Sequence, residues 1–179
     1  MAVTEWFQSS LTLNKVCTIQ DPVTTHVGKT HGNEQRYAVS EEVSCKQSDY
    51  FVKAFRGPFR EGTEKSIHFD DEEPEISEIF LRWLCTGSAF VLNPASPSRS
   101  LAYHAGDGLR MIKSWIFGDE HELECFQKHL IVCEMQLLVC MDLNDVDIRF
   151  AYENTVSNAP LRMLVAFNVA EQLCNGSCS

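Results

Sequence analysis

Between Pro74 and Gly87 apolar side chains return at helical spacing: Ile76, Ile79, Phe80, Trp83 and Leu84 stand at i, i+3, i+4, i+7 and i+8. A stripe of this kind covers one side of a helix and has to be buried against a second layer. Pro74 suits the first helical position, where its missing N–H costs nothing, and Gly87 suits the left-handed residue that ends a helix. The acidic run Asp70 to Glu73 reads both as a solvated loop and as charge favouring the positive end of the helix dipole. The rest of the chain must supply the surface on which this helix packs.

Upstream, the period is two rather than 3.6. VTTHVG and EQRYAV, separated by KTHGN, read as a hairpin from Val23 to Val39, with Gly32-Asn33 as turn residues that tolerate positive φ. At Ser40 the pattern turns helical. Ser40 is a natural N-cap, Glu41 and Glu42 fill the first turn, and Tyr50, Phe51, Ala54 and Phe55 then recur at one-turn spacing until Gly57-Pro58. Two short helices in succession are expected, followed by a brief strand, Ser66 to Phe69. Ser88 to Gly106, with Pro94, Pro97, Ser96, Ser98 and Ser100, lacks periodicity and reads as a long loop.

Downstream the expectation is helical throughout. Asp107 is placed as the cap of a helix through Leu109, Ile112 and Ile116 to Gly118, and Leu123, Phe126, Leu130, Cys133 and Leu137 form the face of the next. Asp142 to Asn154 and Pro160 to Cys174 read as two more, the second with Leu161, Leu164, Val165, Val169 and Leu173 inward. A short strand layer packed against a cluster of helices, with additional C-terminal helices, is an α+β class. The expected division is an N-terminal segment 1–22, a domain 23–120 and a C-terminal helical extension 121–179.

At 179 residues the chain is long enough to bury a sizeable core. Its longest apolar runs are five residues, far short of the roughly twenty of a spanning helix, so no membrane is expected as partner. Glu5 stands where a leader peptide would be basic, which points to the cytoplasm and/or nucleus. Most of the eight cysteines then read as small buried hydrophobes in a reducing compartment, and the sequon Asn175-Gly176-Ser177 as silent. A formal charge of -10 without a dense basic patch argues against nucleic acid.

The block from Tyr37 to Gly87 resembles the BTB/POZ domain, in the single-domain form common in fungi. The resemblance rests on Val39, Cys45, Ser48-x-Tyr50-Phe51, Gly57-x-Phe59-x-Glu61, Pro74-Glu75 and Trp83-Leu84-x-Thr86-Gly87 in that order. It continues in residues 114–127 and 150–165 and so covers most of the chain from about Val23. It implies a BTB/POZ fold and a non-catalytic protein-interaction module. In that family a hydrophobic-x-Glu element contacts a cullin scaffold, and Phe59-Arg60-Glu61 matches it. Phe59 would be an aromatic anchor and Glu61 a charge at the rim setting register; alternatively, Phe59 packs under its own loop and Glu61 is merely solvated.

The most concrete function implied is an adaptor for a cullin-type ubiquitin ligase, its substrate held by the C-terminal helices or the loop near Pro94. The alternative is a nuclear regulatory or assembly subunit that binds a transcription factor or itself. Two departures stand out: the family's His-Lys pair is Ser40-Glu41 here, and the aromatic usual between Leu84 and Thr86 is Cys85. Members that form strand-exchanged homodimers carry a basic residue at the Glu41 position, so the reversed charge leaves a homodimer in doubt.

Other chemistry is expected to be absent. Gly28-Lys29-Thr30 looks like the end of a phosphate loop, but the first glycine it requires is Val23, and a hairpin turn explains it better. His121, Cys125, His129 and Cys133 form a ladder at four-residue steps. On one helix that ladder drifts about 40° per step, from solvent at His121 to the apolar face at Cys133, so it does not converge on one ion. No nucleophile elbow, zinc-protease pair or dinucleotide turn is present, and no enzyme, cofactor or metal is expected.

Overall fold

The computed structural model describes residues 21–29, 32, 34–89, 107–137 and 143–176. Residues 1–20, 30, 31, 33, 90–106, 138–142 and 177–179 lie outside them, along with the expectations that fall there.

The described chain is of the α+β class. Strand β1 (Pro22–Val27) and strand β2 (Gln35–Ser40) pair antiparallel from Pro22 opposite Ser40 to Val27 opposite Gln35, which is the expected hairpin. Strand β3 (Ser66–Phe69) pairs with β1 in parallel, Thr24 opposite Ser66 and Val27 opposite Phe69, giving the order β2-β1-β3. A parallel neighbour needs a long crossover, and residues 41–65 provide it. The pleat sorts the side chains. Val23, Thr25, Val27, Ile67 and Phe69 are buried beneath the sheet, while the outward His26 and His68 stack with ring centres 4.4 Å apart.

Helix α1 (Glu41–Gln47) starts at Ser40, whose hydroxyl accepts the Val43 N–H, as a cap should. Helix α2 (Asp49–Arg56) starts at Ser48, whose Oγ accepts from the Tyr50 N–H at 3.0 Å. The same hydroxyl donates to the Glu122 carbonyl at 3.1 Å, so one side chain begins a helix and holds a distant corner. The expected loop after Gly57 closes instead into a one-turn helix, α3 (Arg60–Glu64).

Helix α4 (Pro74–Thr86) is the helix anticipated from its stripe, with Pro74 first and Gly87 left-handed at φ +73° after its end. Phe80 lies at the centre of the core, its ring 5.9 Å from Phe51, 5.4 Å from Phe117 and 5.4 Å from Phe126. Burial extends beyond the stripe, to Ser77, Glu78 and Leu81, because α4 is covered on more than one side; Ile79, by contrast, is only half-buried. The buried Glu78 carboxylate accepts the Tyr37 hydroxyl at 2.6 Å. Burial, and then that carboxylate, push the Tyr37 phenol well above its usual range.

Helix α5 (Asp107–Glu120) differs from expectation at both ends. Asp107 is its first residue rather than its cap, and the helix runs through Gly118. Gly118 serves close packing: a Cβ there would lie 2.7 Å from Gln127 Cγ. The buried residues are Met111, Ile112, Trp115 and Phe117, while Leu109 and Ile116 are half-buried, because α5 is packed by α4 and by two later helices at once. Those are α6 (Glu124–Leu137) and α7 (Asp145–Glu153), followed by α8 (Pro160–Gly176). Leu123, Phe126 and Leu130 are fully buried as expected.

Helix α7 begins later than anticipated, because the Asn144 side chain accepts the N–H groups of Val146 and Asp147 while the Asp147 carboxylate accepts the Asn144 N–H. That reciprocal cap fixes the start. On α8, Leu161, Leu164 and Val165 face inward, Val169 is half-buried and Leu173, expected inward, is exposed. The buried face runs on through Asn168, which accepts from the Gln172 amide, and leaves Leu173 turned to solvent. Residues from Val23 to Val165 belong to one hydrophobic cluster.

Candidate functional site

Residues 57–65 form a tight structure on the end of α2. The Gly57 N–H closes that helix on the Lys53 carbonyl at 2.9 Å. A Cβ on Gly57 would sit 2.3 Å from the Lys53 oxygen and 2.9 Å from the Phe59 ring, and a Cβ on Gly62 only 2.7 Å from the Phe55 oxygen. Two glycines thus let α3 lie backbone to backbone on α2. Lys65, in the left-handed region at φ 50°, ends the turn with its N–H on the Glu61 carbonyl.

The three residues singled out from the sequence stand at the start of this turn in different environments. Phe59 takes the position before α3 in extended backbone, with one ring edge against Gly57, and remains 54% exposed. It is therefore not packed under its own loop. Arg60 is exposed and pairs along its helix with Glu64 at 3.4 Å. Glu61 is half-buried and not simply solvated; its carboxylate, after burial, is what raises the Tyr50 phenol above its usual range.

Beside this turn lies Glu41. Its side chain is only 14% exposed and is held by Lys65 Nζ at 2.6 Å and Arg56 Nε at 3.7 Å. The reversed charge seen in the sequence is therefore neutralised within its own chain by two cations from α2 and the end of α3.

The Gly28 N–H, at φ 77°, donates to the Phe69 carbonyl at 3.1 Å, so the amide that a phosphate loop would offer is engaged in joining β1 to β3. The His/Cys ladder comes apart in the structure. His121 precedes α6 and is not at a solvent-facing end; its ring lies 4.5 Å from Phe117, 4.7 Å from Phe69 and 5.2 Å from Tyr50. Cys125 is exposed. His129 Nε2 accepts the Ala89 N–H at 3.3 Å, and burial lowers the basicity of its ring. The Cys133 side chain lies outside the described residues.

Sequence spacing misses what does surround His121. Glu72, from the acidic run expected to be solvated, is half-buried with its Oε1 3.5 Å from His121 Nε2, and Glu120 ends α5 next to both. Burial, and then the neighbouring Glu72 carboxylate, hold the Glu120 carboxyl above the usual range, with His121 opposing. No local pattern signals this trio, because Glu72 reaches the other two only through the packing of β3 and α5.

An apolar groove of about 540 Å³ opens among the C-terminal helices, bordered by Trp115, Ile131, Val132, Val156, Ala159 and Pro160. Val132 and Val156 are exposed along it. Among the described residues no helix is long and apolar enough to cross a membrane. In comparison with known proteins, the sequence matches no family model, and no curated protein matches it at a significant level.

Proposed function

We propose that this chain is a non-catalytic protein-interaction module of the BTB/POZ type, in its most concrete form an adaptor that docks on a cullin-type ubiquitin-ligase scaffold. The observation that carries the proposal is Phe59, an aromatic ring more than half exposed on a turn that two glycines clamp to α2. Exposed aromatics on rigid supports are the usual anchors of protein interfaces, because little entropy is lost on docking. The order of the quoted motifs along the fold gives further support. Val39 lies next to the end of β2, Ser48-x-Tyr50-Phe51 opens α2, Gly57-x-Phe59-x-Glu61 forms the turn, Pro74-Glu75 opens α4 and Trp83 to Gly87 closes it. The groove beside Ile131 and Val156 is a place for a second protein, the substrate of such an adaptor, and it lies on the helices expected to hold one.

The test is capture by a cullin N-terminal fragment, comparing wild type with Phe59→Ala and Glu61→Lys. The exposed half of a phenyl ring is about 100 Å², worth about 2.5 kcal/mol on full burial, so Phe59→Ala should weaken capture by well over tenfold. Glu61→Lys should weaken it through register. Failure of the wild type to bind ends the adaptor form.

A second form, self-association or assembly with a nuclear transcription factor, has its own observation: Met163 and Phe167, one turn apart on α8, are 77% and 56% exposed. Light scattering at micromolar concentration tests self-association, and a monomer there removes it.

A further inference from the structure

We infer that Glu72, Glu120 and His121 form a binding site for a first-row divalent metal ion of the zinc class. The three residues offer two carboxylate oxygens and one imidazole nitrogen, all within 4.8 Å of one another. Ligands about 2.1 Å from a common ion lie roughly 3 to 4 Å apart, so only small side-chain rotations bring these atoms into one coordination sphere. Imidazole with carboxylates suits zinc, which takes both readily, better than calcium or magnesium, which favour all-oxygen shells.

The histidine is what separates this trio from an ordinary acidic surface. His121 Nε2 is buried, faces Glu72 at 3.5 Å and makes no hydrogen bond. Its ring is collared by Phe69, Phe117 and Tyr50, and its backbone is fixed from two directions, by its N–H on the Phe117 carbonyl and by the Ser48 hydroxyl on its own carbonyl. The nitrogen is thus held in place and aimed between two carboxylates in an apolar surround, where a cation is bound more strongly than in water. Glu72 comes from the turn after β3, anchored by its N–H on the Phe69 carbonyl, and Glu120 is the last residue of α5. An ion at this point would join the β3–α4 turn to the α5–α6 corner, and the exposed side of Glu120 leaves a coordination position open to water.

The full chain, freed of metal with a chelator, is titrated with zinc by calorimetry in a non-coordinating buffer, and with cobalt by visible absorption. Wild type is expected to bind one equivalent, with a cobalt spectrum of nitrogen and oxygen ligands, and to melt at higher temperature with zinc present. Loss even of a partner outside the coordination shell costs about tenfold or more in affinity, so Glu72→Gln and Glu120→Gln should each weaken binding at least that much. Both positions are partly or fully exposed, so these variants keep the test valid where His121→Gln disturbs the aromatic collar. No binding by wild type at 0.1 mM-order zinc (about a hundredfold above a micromolar dissociation constant), unchanged affinity in Glu120→Gln, or an intense thiolate-to-cobalt band, which would place the ion on a cysteine, each overturns the site.

Discussion

Glu41→Lys restores the charge that the resembled family carries at this position, yet here it should destabilise the fold. The Glu41 carboxylate sits 2.6 Å from Lys65 Nζ and 3.7 Å from Arg56 Nε. Both cations are about half exposed, so each pair is worth the modest value of a screened ion pair, about 0.2–1 kcal/mol. Glu41 is also the first residue of α1, where a carboxylate gains about 0.5 kcal/mol from the helix dipole. Reversing the sign removes these contributions and replaces them with repulsions of similar size, for a total of about 2–4 kcal/mol. Urea unfolding at low and at high salt measures it. The loss should shrink in about 1 M salt, where screening acts over about 3 Å. A second substitution, Lys65→Glu, should recover half or more of the loss by restoring an opposite-sign pair. A loss below about 0.5 kcal/mol, or no recovery in the double variant, would show that the three side chains do not form the charge cluster described.

Tyr37→Phe strands the buried Glu78 carboxylate without its 2.6 Å donor and should cost about 1.5–3 kcal/mol, read as a lower midpoint in urea. Because the Tyr37 phenol is raised in the folded state, its contribution is intact below the unfolded value near 10 and is lost as pH rises past it. Wild-type stability should therefore fall more steeply than that of Tyr37→Phe in alkaline urea titrations; parallel curves would contradict the hydrogen bond. Gly62→Ala places a methyl group 2.7 Å from the Phe55 oxygen and should cost about 1–3 kcal/mol while lifting α3 and with it the Phe59 platform. Unchanged unfolding, together with unchanged capture by a partner, would mean that the turn is not clamped.

Local chemistry made much of this fold legible. Ser40, Pro74 and Gly87 mark element ends by interactions within a few residues, and Ile76, Phe80, Trp83 and Leu84 mark a buried face by period alone; all of these stand where their sequence neighbours imply. Some departures fall where a helix has more than one neighbour. Met111, Trp115 and Phe117 point away from the stripe that Leu109 and Ile116 suggest, because α5 is wrapped by three helices and a periodicity assigns only one face. Leu173 is exposed because the buried face of α8 continues through polar Asn168 and Gln172, which hydrogen-bond to each other; no hydrophobicity pattern marks such residues as inward.

The sequence by itself determined the class, a hairpin layer followed by helices, since capping residues and apolar period act within one or two turns of chain, whereas the Phe59 turn is singled out only by the family resemblance. Tertiary structure alone decided that β3 lies parallel to β1, that Glu41 is neutralised by Lys65 and Arg56, and that Glu72 reaches His121. Each of these joins residues far apart along the chain, where the outcome depends on how whole elements pack, and no local preference carries that information.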